Sequence, residues 1–101
     1  MTNLENQNRT PNSESDQYWR ENYINRPYYT DLQHDIPDIE YDRDLSSAYE
    51  LGRNSRSEYG GNARFEDSES ALQTKWDNFK AESRLKWDQA KHAVKDAWDR
   101  M

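Results

Sequence analysis

Three tryptophans, Trp76, Trp87 and Trp98, stand eleven residues apart, and each is followed by an aspartate. At about 100° per residue, eleven helical residues complete three turns with a remainder of only about 20°, so residues at this interval share a helix face. Steps of four, three and four extend the stripe to Leu72, Trp76 and Phe79, then Ser83, Trp87 and Ala90, then Val94, Trp98 and Met101. Phe65 falls one period earlier and resembles a worn copy of the repeat. No Gly or Pro follows Gly61, and Ala and Lys are frequent, which favours helix. The spacing predicts one long amphipathic helix within residues 63–101, capped at Asp67, Ser68 or Ser70, a rod of about 50 Å at about 1.5 Å per residue. A lone helix cannot bury its own stripe. Each Trp buries roughly 200 Å² once covered. The cover must come from the tyrosine-rich N-terminal half, a second copy, another protein or a membrane surface.

The rest of the chain is very polar. Of its 101 residues 32% are hydrophobic and 34% charged, and mean hydropathy is -1.50. Leu, Ile, Val and Phe together number twelve, a share that points toward disorder. Four Trp and seven Tyr point the other way, toward local order. The expectation is an all-α, partly disordered chain in which one or two short helices precede the long C-terminal one. Residues 1–16 read as a disordered tail in which Pro11 blocks an early helix. Residues 17–43 form an aromatic and acidic segment: Ser15 or Asp16 caps a short helix through Tyr23, Pro27 ends it and holds Arg26 extended, and residues 31–43 are a linker. Residues 44–62 form a short helix and a Gly-Gly turn. Asp44 is its N-cap, and Leu45, Ala48, Tyr49, Gly52 and Tyr59 share a side. Gly52 costs about 1 kcal/mol against Ala but permits close backbone approach, and Gly60-Gly61 ends the helix.

Charge and motifs narrow the function classes. Residues 1–67 carry seven Arg, no Lys and fourteen acids, while residues 68–101 carry seven bases and six acids. An acidic half followed by a balanced one disfavours generic nucleic-acid binding. The absence of cysteine excludes disulfides and thiolate metal sites. "DIEYDRD" resembles a calcium loop, but Arg43 stands at the sixth position and Tyr49 at the twelfth, where Gly and Glu belong; it reads as a solvated acidic linker. His34 and His92 read as surface residues, with no partner at metal-pair spacing. No phosphate loop, zinc spacing or Ser/His/Asp arrangement is present, so neither an enzyme nor a cofactor or small-molecule substrate is expected. Residues 1–16 hold no secretory core and no stretch is long enough to span a membrane, which makes the cytoplasm the expected location. The residues expected to make contacts are Trp76, Phe79, Trp87, Val94 and Trp98 on the stripe, with Trp19, Tyr23, Tyr28 and Tyr29 as a second aromatic patch. Packing within the chain or an oligomer is weighed above a dedicated partner or lipid surface.

The segments "YWRENYINRPYY", "AYELGRNSRSEYGG" and "ESRLKWDQAKHAVKDAWDR" resemble a family of small acidic bacterial proteins found among general-stress proteins, over residues 18–100. The Trp-and-Lys helix also looks faintly like CsbD-type stress proteins. The eleven-residue period is similar to that of late-embryogenesis-abundant proteins, although those repeats are usually Ala-rich and lack Trp. The resemblance implies a non-enzymatic stress-response protein that self-associates or binds a protein partner, and it transfers no functional residues. The alternatives are a desiccation protectant, a ribosome- or RNA-associated factor and a membrane-surface helix.

Overall fold

The described residues, 11–80 and 82–100 of a computed structural model, form five α-helices and no strand. Helix α1 spans Pro11–Asn22 and passes into a 3-10 turn, Tyr23–Asn25. Helix α2 is short, Tyr29–Asp35. A π-helical turn, Tyr41–Leu45, leads into α3, Ser46–Tyr59. Helices α4, Phe65–Phe79, and α5, Trp87–Arg100, complete the fold. Helix α3 is the hub. It packs most extensively on α5, carries α1 on another flank and touches α4.

The all-α expectation holds, and the single C-terminal rod does not. Helix α4 ends at Phe79, and the chain leaves helical conformation before re-entering it at Trp87. The two helices fold back on one another: Phe65 at the start of α4 meets Trp98 near the end of α5, and Trp76 late in α4 bonds to Leu85 just before α5. The eleven-residue interval keeps its helical meaning within each helix, from Phe65 to Trp76 in α4 and from Trp87 to Trp98 in α5, and loses it between Trp76 and Trp87. Helix α4 begins at Phe65, ahead of the expected caps, so Asp67, Ser68 and Ser70 lie inside it. Met101 lies outside the described residues.

Two N-terminal expectations also change. Of the expected tail, residues 1–10 lie outside the described part, whereas 11–16 belong to α1. Pro11 opens that helix instead of blocking it, because at the first helical position its missing N–H has no intrahelical partner to lose. Ser15 and Asp16 are therefore helical residues, not caps. Arg26 is extended before Pro27, with φ -80° and ψ 149°, as the Pro requires. Beyond it, where a linker was expected, α2 forms around one buried anchor, Leu32. Ile36 and Ile39 then pack against the core half-buried.

Helix α3 follows its sequence pattern closely. Leu45, Ala48, Tyr49 and Gly52 are buried and Tyr59 is half-buried against the core. Gly60 ends the helix at φ 95°, a left-handed backbone that Gly adopts without a Cβ penalty, and its N–H bonds to the Arg56 carbonyl. Gly52 is where α3 and α5 come closest. A Cβ added there would lie 2.1 Å from the Val94 carbonyl oxygen and 3.0 Å from the Ala97 Cβ. Ala90, Ala93 and Ala97 give α5 a run of small buried side chains, so the two backbones approach without intervening bulk.

Gly52→Ala therefore sets about 1 kcal/mol of gained helix propensity against a collision with backbone that cannot rotate away. The expected result is net destabilisation by roughly 2–3 kcal/mol, measured by urea or thermal unfolding. Ser57→Ala, exposed on the same helix, serves as the control and should unfold no earlier than the parent.

Candidate functional site

The expected contact residues divide sharply by burial. Trp19, Trp76, Trp87, Val94 and Trp98 all lie in the core. Tyr23, Tyr28 and Tyr29 are half-buried, and Phe79 is exposed. An open tryptophan stripe is thus not what the chain presents, because the molecule covers it itself. The Trp19 ring stacks on Tyr49, with centroids 4.5 Å apart and planes 3° apart. Trp98 is met edge-on by Tyr59 and Phe65, at 5.9 and 5.8 Å. A buried indole N–H usually finds a partner; that of Trp19 has none among the described residues, whereas those of Trp76 and Trp87 do. Trp76 Nε1 donates to the Leu85 carbonyl at 3.0 Å, and Trp87 Nε1 to Glu69 Oε2 at 3.1 Å.

Two polar clusters hold separate segments together, and neither was read as a cluster in the sequence. The first centres on Asp44, whose side chain is fully buried. Asp44 does not cap α3 directly. It lies in the π-helical turn, and its Oδ2 reaches back to accept the Glu40 N–H at 3.0 Å. Arg43 Nη2 and Arg84 Nη2 donate to the same oxygen at 3.0 and 3.1 Å. The Arg84 backbone N–H donates to Oδ1 at 3.2 Å. The Asp44 carbonyl accepts the Ser83 hydroxyl at 2.7 Å, and that hydroxyl oxygen accepts the Leu85 N–H at 3.2 Å. Ser83, Arg84 and Leu85 lie between α4 and α5, so this cluster breaks the expected rod. Arg84 also pairs with the exposed Asp38, Nη1 to Oδ1 at 3.0 Å. The expected solvated acidic linker is correct for Asp38, Glu40 and Asp42, which are exposed, and wrong for Asp44.

The second cluster ties the 26–28 segment to α3 and α5. Arg26 grips Asp96 with two bonds, Nε to Oδ2 at 2.7 Å and Nη2 to Oδ1 at 3.0 Å. The Tyr28 hydroxyl donates to Asp96 Oδ2. With its proton so placed, it accepts from the Tyr49 hydroxyl, 2.8 Å away. His92, exposed as expected, stacks on the Tyr28 ring at 5.6 Å. An open cleft of about 400 Å³ lies here, lined by Arg26, Tyr28, His92, Lys95 and Asp96 among others. Tyr28 thus serves as an internal tether. Burial, the nearby Tyr49 and the bond to Asp96 all push its hydroxyl far above the ordinary tyrosine range, which keeps it a donor.

The chemistry of both clusters is that of a latch. At Asp44 burial alone would push the carboxyl up, but hydrogen bonds from Arg43, Arg84 and the Glu40 and Arg84 backbones outweigh it and hold the group well below the usual carboxylate range. The carboxylate is ionised and its acceptor positions are occupied. Among the described residues no group of three or more His, Asp or Glu is placed to hold a metal ion. One sequence signal marked the hinge: Ser83 stands where the stripe calls for an apolar side chain. Asp44 itself, some forty positions from its partners, gave none. No protein-family model, curated protein or solved structure matches this chain.

Because the folded Asp44 pKa lies below the unfolded value of about 4, its ionised form contributes stability that is fully present above that value and is lost as pH falls through the folded one. Asp44→Asn should cost roughly 3 kcal/mol near neutral pH, the low end for breaking a buried pair, since Arg43 and Arg84 are partly exposed and water can take up the freed guanidiniums. The gap between variant and parent should narrow as pH falls below about 4. Urea unfolding of both chains across that range checks the sign.

Proposed function

We propose that this is a cytoplasmic, stress-associated protein that performs no catalysis and acts by associating with other polypeptides, its own copies included. The observation that carries the reading is how the chain spends its internal polar groups. Asp44 and Asp96, the carboxylates best placed for acid–base work, are each gripped by arginine and hold segments together. What remains for function is surface. In a chain with only twelve Leu, Ile, Val and Phe, Ile24 and Phe79 are left 53% and 36% exposed. They sit beside the two latches, two residues before Arg26 and four before Ser83.

The competing readings meet specific obstacles. A lipid-surface helix needs an apolar face free to enter the bilayer, and the tryptophans of α4 and α5 are covered. Among the described residues no helix is long and apolar enough to cross a membrane. An RNA-associated factor needs guanidiniums free for phosphate, whereas Arg20 pairs with Asp16 and Asp42, Arg26 with Asp96, and Arg43 and Arg84 with Asp44. A desiccation protectant is unfolded in dilute buffer, an outcome that the tightly packed aromatic core disfavours.

Association predicts a mass above that of one chain at high protein concentration and a melting temperature that rises with concentration. Sedimentation velocity and circular dichroism over a wide concentration range test it. A monomer throughout, melting at one temperature, would remove self-association as the mode of action.

A further inference from the structure

We propose that two copies of this chain associate by exchanging α5, the connection between α4 and α5 straightening into helix. The proposal deepens the association reading and rests on it. Its basis is a conflict between local sequence and local structure at one place. Phe79–Trp87 contains Lys, Ala, Glu, Ser, Arg and Leu, mostly strong helix formers, and neither Gly nor Pro. Such a segment leaves the helix only because distant groups hold it out. The holding groups are those of the Asp44 latch, together with the Trp76 Nε1 bond to the Leu85 carbonyl.

Straightening would carry α5 away from its own α3 and leave both faces uncovered. A second copy in the same state offers the complementary faces, with the Gly52 approach already shaped for an α5. Reciprocal exchange rebuilds the closed chain's contacts between chains, so the two forms differ in free energy chiefly at the hinge and through concentration. Two further features fit the straightened form. Eleven residues separate Trp76 from Trp87, which places them on one face of a continuous helix. Phe79, exposed in the closed chain, lies on that same stripe, where two hinge helices crossing one another would cover it. The broken interval of the tryptophan repeat thereby regains a structural reason.

The full chain tests this, and its lack of cysteine makes labelling clean. Glu69 and Lys91 pair across α4 and α5 at 3.6 Å. Glu69→Cys with Lys91→Cys, treated with a short bismaleimide, should link within one chain in the monomer peak and between chains in the dimer peak. The hinge is tuned separately at the exposed Glu82. Glu82→Ala should favour the dimer over Glu82→Gly by about 30-fold in association constant, since each of two new helices gains the Ala-over-Gly preference. A dimer whose links stay within chains, or whose abundance ignores the Glu82 substitutions, overturns exchange while leaving association standing. Absence of any dimer, in the parent and in Glu82→Ala alike, overturns both exchange and self-association.

Discussion

A single buried carboxylate decides the path of the chain. Taking Asp44 out of water costs several kcal/mol unless its oxygens are filled, and filling them requires Arg84 and its backbone N–H to come to it. Those groups are available only if the residues after α4 abandon the helix. Once they do, α5 turns back, its small residues meet Gly52, and Trp98 is enclosed by Tyr59 and Phe65. The long-range pairing thus precedes the core in the logic of the fold, although the core supplies most of the favourable free energy.

How a chain of such low hydropathy builds a core at all is answered by its aromatics. Twelve Leu, Ile, Val and Phe would not suffice. Buried tryptophans and tyrosines bring large apolar area per residue with a polar tip that can be satisfied. Here the tips become connectors: Trp76 to Leu85, Trp87 to Glu69, Tyr41 to Asp16, and Tyr49 through Tyr28 to Asp96. The described part of the acidic N-terminal half is drawn into the molecule by such bonds and by the stacking of Trp19 on Tyr49.

What could be read from the sequence was local, and what could not was distant. The turn at Arg26-Pro27, the stop at Gly60 and the close approach at Gly52 follow from backbone rules that act on the residue itself. The register of Trp87 and Trp98 follows from helix geometry. Helix α2 escaped because one anchor, Leu32, establishes no period. The break before Trp87 escaped because its cause lies at Asp44, and most local propensities there, Ser83 apart, argue for continuation. Of the residues singled out for binding, five proved to be core, since periodicity reports that a face will be covered but not by what.

The way the break is made bears on function. A glycine or proline turn would separate α4 from α5 permanently, because such residues oppose helix in any context. Holding helix-forming residues out of a helix by a charge cluster leaves the alternative intact within the same sequence. The balance between the closed chain and the proposed exchanged form would then depend on Asp44, Arg43, Arg84 and Ser83, and on whatever covers the face that α5 now occupies. Conditions that weaken the cluster would shift that balance without altering the core contacts, which the proposed arrangement would also satisfy. A latch of this kind would make the proposed self-association adjustable, a property that a turn built from glycine or proline would abolish.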